Sequence, residues 1–173
     1  LKMHCQTSGV SLTESSPLNN IVRTTIEAMA GVFGGTQSLH TNSYDEAISL
    51  PSDQASKVAL ETQFILQHET GIGDVVDPWG GSYMMESATQ SMIEYVRTMQ
   101  NNIEIEGGVL ALVASGQLTA FIHRQALQTA MDEEALNKKI VGKNCYQSSS
   151  LSPQNERVIA SDKTLLLQSK KLA

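Results

Sequence analysis

Residues 34–50 read GGTQSLHTNSYDEAISL, and the rest of the chain is ordered around them. Gly34-Gly35 stops whatever precedes, and residues 36–39, Thr-Gln-Ser-Leu, have the polar and apolar mix of a short strand. That strand runs into a cluster of hydrogen-bonding side chains: His40, Thr41, Asn42, Ser43, Tyr44, Asp45 and Glu46. After Pro51 a helical pattern begins, capped by Asp53 and extending to about Glu69, with Ala55, Val58, Ala59, Thr62, Ile65 and Leu66 on one side. A strand whose C-terminal end opens into polar residues ahead of a helix is where α/β folds carry their chemistry. On spacing alone the same stretch is also an ordinary polar βα loop with a helix cap.

Working outward, the same unit recurs. Residues 1–6 alternate Leu, Met and Cys with Lys, His and Gln, which is a strand pattern, and residues 7–9, Thr-Ser-Gly, make a turn. A polar loop follows, with Asn19 or Asn20 as helix cap, and residues 21–33 carry a helical stripe of Ile21, Val22, Ile26, Met29, Ala30 and Phe33. Beyond the central stretch, Val75-Val76 is a short apolar run ahead of DPWGGSY at 77–83, a further polar loop at a strand end. Ser87 is a cap for a long helix over 88–105, broken by Gly107-Gly108. A short helix over 109–115 closes at Gly116, another spans 118–136, and Ile140-Val141-Gly142 has the pattern of a short strand. Residues 148–153 turn to Ser, Pro and Gln, a linker composition, and 158–173 hold one more strand or helix. Strand–loop–helix units in series predict an α/β chain with a parallel sheet and helices on its faces. Two or three units are too few to close an eight-stranded barrel; as barrel material they amount to about its last third. The chain opens at Leu1 directly into a strand pattern, as expected of a segment of something longer.

Composition narrows the class. Of 173 residues, 40% are hydrophobic and 17% charged, which places the chain among globular proteins. A net charge of −6 argues against a nucleic-acid surface, and the one concentrated basic spot is Lys170-Lys171 near the end. Cys5 and Cys145 are far apart with no CxxC, so neither a disulfide framework nor a zinc site is expected, and the reducing cytoplasm or mitochondrial matrix is the default compartment. No apolar run approaches a membrane span, and no signal-peptide pattern is present.

Three constellations carry chemistry-bearing residues. His4 and Gln6 alternate along their strand and share a face, where they present an imidazole and an amide beside a tight turn; a strand histidine bonded to its neighbour is the ordinary alternative. Asn42 and Glu46, around the central strand end, offer an amide and a carboxylate that suit ribose hydroxyls or an amide-rich ligand, and such residues also cap their own loop. Residues 77–82 combine glycines that permit close backbone approach with Trp79, and equally make a wide turn anchored by that ring in a core. GxGxxG, Walker A, HExxH and GxSxG are all missing, so a small phosphate- or nucleotide-binding domain lacks its usual wording. His68 and His123 stand alone on helices, and Cys145 has no base nearby in sequence.

The wording HCQTSGVSLTESSPLNNIVRTTIEAMAGVFGGTQSLHTNSYDEAISLP at 4–51, followed by VVDPWGGSYMMES at 75–87, closely resembles the catalytic chain of the adenosylcobalamin-dependent acyl-CoA mutases, of the methylmalonyl-CoA mutase type. Isobutyryl-CoA mutases share much of it. The resemblance spans 1–108, weakens over 109–134, returns at Ile140-Val141-Gly142-Lys143-Asn144, and ends at Gln147.

That resemblance implies the last βα units of a TIM-type (β/α)₈ barrel at 1–108, trailing helices and a short strand at 109–147, and a linker or tail at 148–173, with the barrel incomplete in this chain. It implies an isomerase that rearranges the carbon skeleton of an acyl-CoA, methylmalonyl-CoA to succinyl-CoA in type, using the deoxyadenosyl radical released by homolysis of the cobalt–carbon bond of adenosylcobalamin. His4 and Gln6 match the strand-end catalytic pair. Gly9 matches the turn the corrin approaches, Asn42 and Glu46 match the pair holding the adenosyl ribose, and Ser49 lies against the cofactor. The cobalt comes with the corrin and its axial ligand is not in this chain, so no metal ligand is expected here. The implied partners are the acyl-CoA, a cobalamin-binding domain and the N-terminal barrel half, in the same parent chain or another subunit; nucleic acid and membrane are not among them. Two departures stand out: Val10 replaces the usual Trp of methylmalonyl-CoA mutases, as smaller residues do in isobutyryl-type relatives, and the helix over 118–136 lacks the family's basic and acidic pattern. A truncated, non-catalytic barrel fragment acting as an interaction module is the alternative, since open strand edges and an uncovered apolar face promote association.

Overall fold

The computed structural model describes residues 2–147. The expected linker at 148–153 and the element over 158–173 lie outside the described residues. Two compact units emerge: residues 2–78 with 141–147, and Trp79–Ile140.

The first unit is a βαβα series. Strand β1 (His4–Gln6) leads through a loop to helix α1 (Asn19–Phe33), then β2 (Ser38–His40) and α2 (Asp53–His68). The strands pair in parallel, with His4 opposite Ser38, Cys5 opposite Leu39 and Gln6 opposite His40. The crossover helix makes this pairing possible, because parallel neighbours need a long connection between them. Alternation then sorts the side chains. Half-buried Cys5 and Leu39 face α1, and exposed His4, Gln6, Ser38 and His40 share the other face. Helix α1 comes close to the sheet at Gly31, where a Cβ would lie 3.4 Å from Leu39 Cδ1 and 3.7 Å from Cys5 Cβ.

Several expectations are corrected here. The central strand sits two residues later than 36–39 at its start, so His40 closes it and does not belong to the loop. Asn19 and Asn20 do not cap α1; Leu18 holds that position without a side-chain bond, and Asn20 is buried inside the helix's first turn. The buried side of α1 is Asn20, Thr24 and Ala28, whereas Val22 and Ile26 of the apolar stripe are about 60% and 62% exposed. The sheet-facing side accommodates small residues because helix and strands approach closely, and the larger apolar residues point to a side that no described residue covers. Helix α2 is capped by Ser52, whose Oγ accepts from Ala55 N at 3.2 Å; Asp53 is its first helical residue and favours the N-terminal dipole. Of its expected face, Ala55, Ala59, Thr62 and Leu66 are buried and Ile65 is exposed. Val75-Val76 forms no strand; both side chains are exposed and the backbone bends. Ile140-Val141-Gly142 is likewise no strand but one isolated bridge, Val141 to Cys145, closing a turn.

The second unit is helical. Helix α3 (Tyr83–Ile105) starts after Ser82, five residues ahead of the expected cap Ser87. Its first turn is held by Glu86, whose Oε1 accepts from Gly81 N at 3.0 Å. Gly107 and Gly108 break the chain with φ of 93° and 87°, a region that glycine enters without steric cost. Helices α4 (Val109–Ala114) and α5 (Gln117–Glu134) follow, separated by Gly116, and no residue of α3, α4 or α5 is buried. The α/β class holds; the sheet in the described residues has two strands and does not close into a barrel.

Candidate functional site

Parallel pairing brings Gln6 and His40, the C-terminal ends of β1 and β2, side by side. The loops at 7–18 and 41–52 therefore leave from the same end of the sheet. Thr7 N donates to His40 O at 3.0 Å, extending the ladder one residue past β1. Thr7 then anchors Asn42 twice: its Oγ1 accepts from Asn42 N at 2.9 Å and its carbonyl accepts from Asn42 Nδ2 at 3.1 Å. That second bond fixes which way the Asn42 amide points, since a carbonyl requires a donor. Asn42 Oδ1 is thereby turned to accept from Gln6 Nε2 at 3.0 Å. The chain Thr7–Asn42–Gln6 leaves Asn42 only 2% exposed and Gln6 on the exposed face, its Oε1 available as an acceptor. Gly9 packs against this pair: a Cβ there would sit 3.6 Å from Asn42 Nδ2, in ordinary contact.

His4 shares the exposed face with Gln6, and its Nδ1 is hydrogen-bonded to Ser38 Oγ at 2.9 Å. The expected strand pair is thus brought together on one face, with His4 oriented by a cross-strand bond and its Nε2 pointing free of that bond. Whether Nε2 donates or accepts follows from which partner gives the proton to the His4–Ser38 bond.

The second loop is a tight coil. Ile48 N and Ser49 N both donate to Asp45 O, at 2.8 and 3.1 Å, and Asp45 Oδ2 accepts from Ser52 N at 3.0 Å. Glu46 is exposed at the top of this coil, and its carboxylate makes no hydrogen bond or ion pair with any described residue. It lines a groove of about 250 Å³ with His40, Thr41, Ser43, Pro51 and Gln63, while Asn42 is tucked behind Gln6. The structure therefore does not join Asn42 and Glu46 directly. Ser49 is half-buried and its Oγ donates to Leu50 O at 3.0 Å. Two oxygens near Glu46, Ser43 Oγ and Asp45 Oδ1, are buried without a hydrogen-bond partner. Buried polar atoms left bare are uncommon and mark places where a ligand or water completes the set.

Sequence reasoning missed three residues that build this end of the sheet. Thr7 is the anchor of Asn42. Thr41 Oγ1 donates to Ala59 O at 2.7 Å, and Gln63 Nε2 donates to Thr41 Oγ1 at 3.0 Å and to Leu39 O at 3.1 Å, pinning the end of β2 to α2. A usable signal existed for Thr41: strand alternation turns it toward the helix, where its hydroxyl needs a partner. Thr7 offered none, because only the pairing places it opposite Asn42. The loop at 77–82 is a local turn, closed by Ser82 N donating to Trp79 O at 3.0 Å, and Trp79 is 45% exposed, so it does not anchor a core. Among the described residues no group of three His, Cys, Asp or Glu side chains is placed to hold a metal ion, and no helix is long and apolar enough to cross a membrane.

Comparison with known proteins places this end of the sheet in context. The chain is 52% identical over 147 residues to the mitochondrial methylmalonyl-CoA mutases of Bos taurus and Homo sapiens, covering 85% of this chain and 20% of each relative. It is 47% identical over 153 residues to the methylmalonyl-CoA mutase of Rhizobium meliloti (strain 1021), covering 88% of this chain and 22% of that protein. The chain thus spans about a fifth of the length of the curated relatives it matches. A family model described as methylmalonyl-CoA mutase matches residues 1–173, carrying the likeness past Gln147, where the sequence wording had ended. On a match that runs its whole length, the chain belongs to the methylmalonyl-CoA mutase family.

Proposed function

We propose that this chain supplies the cofactor-facing strand ends of an adenosylcobalamin-dependent acyl-CoA mutase, an isomerase of the methylmalonyl-CoA to succinyl-CoA type. Residues 1–108 are the C-terminal portion of its (β/α)₈ barrel and 109–147 its trailing helices. The observation that carries this reading is the joined set Thr7–Asn42–Gln6 against Gly9, at the C-terminal ends of two parallel strands. Barrel enzymes place their chemistry at that end.

The residues present fit the group. Glu46 presents an unpaired, exposed carboxylate suited to two vicinal ribose hydroxyls, and Ser43, whose bare Oγ is itself buried, lines the same groove. Asn42, buried, acts on the ribose side from beneath by holding Gln6 and Thr7 in place. Ser49 packs behind. Adenosylcobalamin, when bound, supplies the radical that takes hydrogen from the acyl group. Gln6 and His4 do the protein's part on the exposed strand face: Gln6 Oε1 and His4 Nε2 orient the acyl-CoA, His4 held by a cross-strand bond to Ser38 and Gln6 by the loop residue Asn42, so orientation costs little at the moment of reaction. Val10, about 95% exposed next to Gly9, stands where a large aromatic would narrow the rim, and an isobutyryl-type acyl group is the alternative substrate. The acyl-CoA, a cobalamin-binding domain and the N-terminal barrel half are the partners, and the cytoplasm or mitochondrial matrix the compartment.

The 173-residue chain by itself neither binds adenosylcobalamin tightly nor turns over acyl-CoA, because the strand ends are one wall of a site. Titration of adenosylcobalamin into the chain, followed by its visible spectrum, tests this; binding at about 1 μM, a free energy near −8 kcal/mol, would refute it. A second reading has its own support. Both strands keep an open edge among the described residues, and Val22, Ile26, Leu60 and Phe64 are exposed. A barrel fragment serving as an interaction module would associate through these surfaces. Sizing over a concentration series separates the two: an assembly that stays intact when the other barrel segments are added favours the module.

A further inference from the structure

We infer that Asn20 is a positioning residue that ties the loop after β1 to the loop after β2 through one fully buried amide. The inference rests on the reading above, that these two loops carry the ligand contacts. Asn20 has no exposed surface. Its Nδ2 donates to Thr13 O at 2.8 Å in the first loop and to Tyr44 O at 2.8 Å in the second. Its Oδ1 accepts from Thr13 N at 3.1 Å and from Arg23 Nη1 at 2.7 Å. Two donors and two lone pairs are the whole capacity of a carboxamide, so every bond the side chain can make is made. No other residue type offers that pair of donors and acceptors at this length, and a fully satisfied buried network fixes one arrangement of what it joins.

The joined segments matter more than the bonds. Tyr44 lies midway between Asn42 and Glu46, and Thr13 lies four residues past Gly9. Asn20 stands on the first turn of α1, the crossover between the two strands, and so sets the spacing of both loops from one rigid point. Arg23 extends the tie to a third segment: its Nη2 donates to Val141 O at 2.7 Å, in the turn that Val141 and Cys145 close. That turn is seated tightly, since a Cβ on Gly142 would lie 2.8 Å from Ser16 Oγ. Asn20 touches neither the exposed strand face nor the Glu46 groove, so it acts on any ligand only by holding Tyr44 and Thr13.

Two variants of the full chain separate the arms of this tie. Asn20→Asp keeps both acceptor bonds and sets a carboxylate against the Arg23 guanidinium, but it turns an oxygen toward Thr13 O and Tyr44 O. Arg23→Ala removes one of the two bonds to Asn20 Oδ1 and releases Val141, but leaves the amide joined to both loops through Thr13 and Tyr44. Amide hydrogen exchange read by peptide mass spectrometry reports each segment separately. For Asn20→Asp, exchange over 41–52 should quicken by about tenfold or more, with α2 within about twofold of the parent. For Arg23→Ala, 141–147 should quicken and 41–52 should not. Unchanged exchange over 41–52 in Asn20→Asp would overturn the inference, as would a uniform rise through α2 or a loosening of 41–52 in Arg23→Ala. A parallel titration with adenosylcobalamin, in the presence of the complementary barrel and cobalamin-binding segments, should show weakened binding by Asn20→Asp. Loosened loops with unchanged affinity would uphold the tie and overturn the ligand reading on which it rests.

Discussion

Asn42 and Glu46 look alike in sequence, as polar residues of one loop, but the structure gives them opposite physical roles, and alanine substitution should separate them. Asn42→Ala removes the acceptor of Gln6 Nε2 and the donor to Thr7 O. Gln6 is exposed and regains water, so its loss is small. Thr7 is buried, and its carbonyl would be left bare. A hydrogen bond nets about 0.5–1.5 kcal/mol and a stranded buried group costs about 1–3 kcal/mol, so the change should cost roughly 2 kcal/mol. At about 1.4 kcal/mol per decade, that is near thirtyfold in the folding equilibrium. With a denaturant slope of about 1–1.5 kcal/mol per molar, the urea midpoint should fall by more than about 1 M. Glu46→Ala removes an exposed carboxylate without a described partner and should leave stability within about 0.5 kcal/mol. Far-UV circular dichroism during urea unfolding measures both. A midpoint for Asn42→Ala within about 0.3 M of the parent, or a Glu46→Ala shift of equal size, would refute the assignment of Asn42 as a strut and Glu46 as a free ligand group.

Other substitutions probe the frame around the site. Ser52→Ala removes the cap bond to Ala55 N and should lower stability by about 1 kcal/mol, read by thermal melting, whereas Asp53→Ala should cost less because its effect is on the dipole alone. Gly142→Ala places a side chain at φ 81° and 2.8 Å from Ser16 Oγ; it should destabilise by more than about 1 kcal/mol and speed exchange in the turn at 141–145. Ile26→Lys, at a side chain 62% exposed on α1, should reduce self-association in concentration-dependent sizing without lowering the helical signal.

What the sequence made legible, and what it hid, divides along a physical line. The order strand–helix–strand–helix came from periodicity and glycine stops, and those are local signals. Gly107-Gly108 and Gly116 end helices as written because positive φ is a property of the residue itself. The alternation of His4 and Gln6 put both on one face for the same reason. Burial was not legible on α1, since the stripe of Ile21, Val22 and Ile26 records which residues are apolar and not which side has a neighbour; the neighbour that exists is met by Ala28 and Gly31. Val75-Val76 looked like a strand, but a strand needs an edge to pair with, and in the described residues that pairing is not made. The cap differs by one residue at Ser52, where adjacent Ser and Asp compete for the role until backbone geometry chooses, and by five at Ser82, which holds its place without a side-chain bond. Residue type alone makes Asn19 or Asn20 a helix cap, whereas the four bonds of Asn20 depend on two loops that meet only in three dimensions.

The central claim is that these strand ends form the cofactor-facing wall of an acyl-CoA mutase. Its most direct test is equilibrium titration of adenosylcobalamin, followed by visible spectroscopy, against the chain alone and against the chain mixed with a separately expressed N-terminal barrel half and cobalamin-binding domain. Tight binding should appear only on mixing, and Glu46→Ala should weaken it while leaving the chain folded. Absence of binding in every combination, or binding on mixing that is indifferent to Glu46→Ala and Asn42→Ala, would contradict the claim.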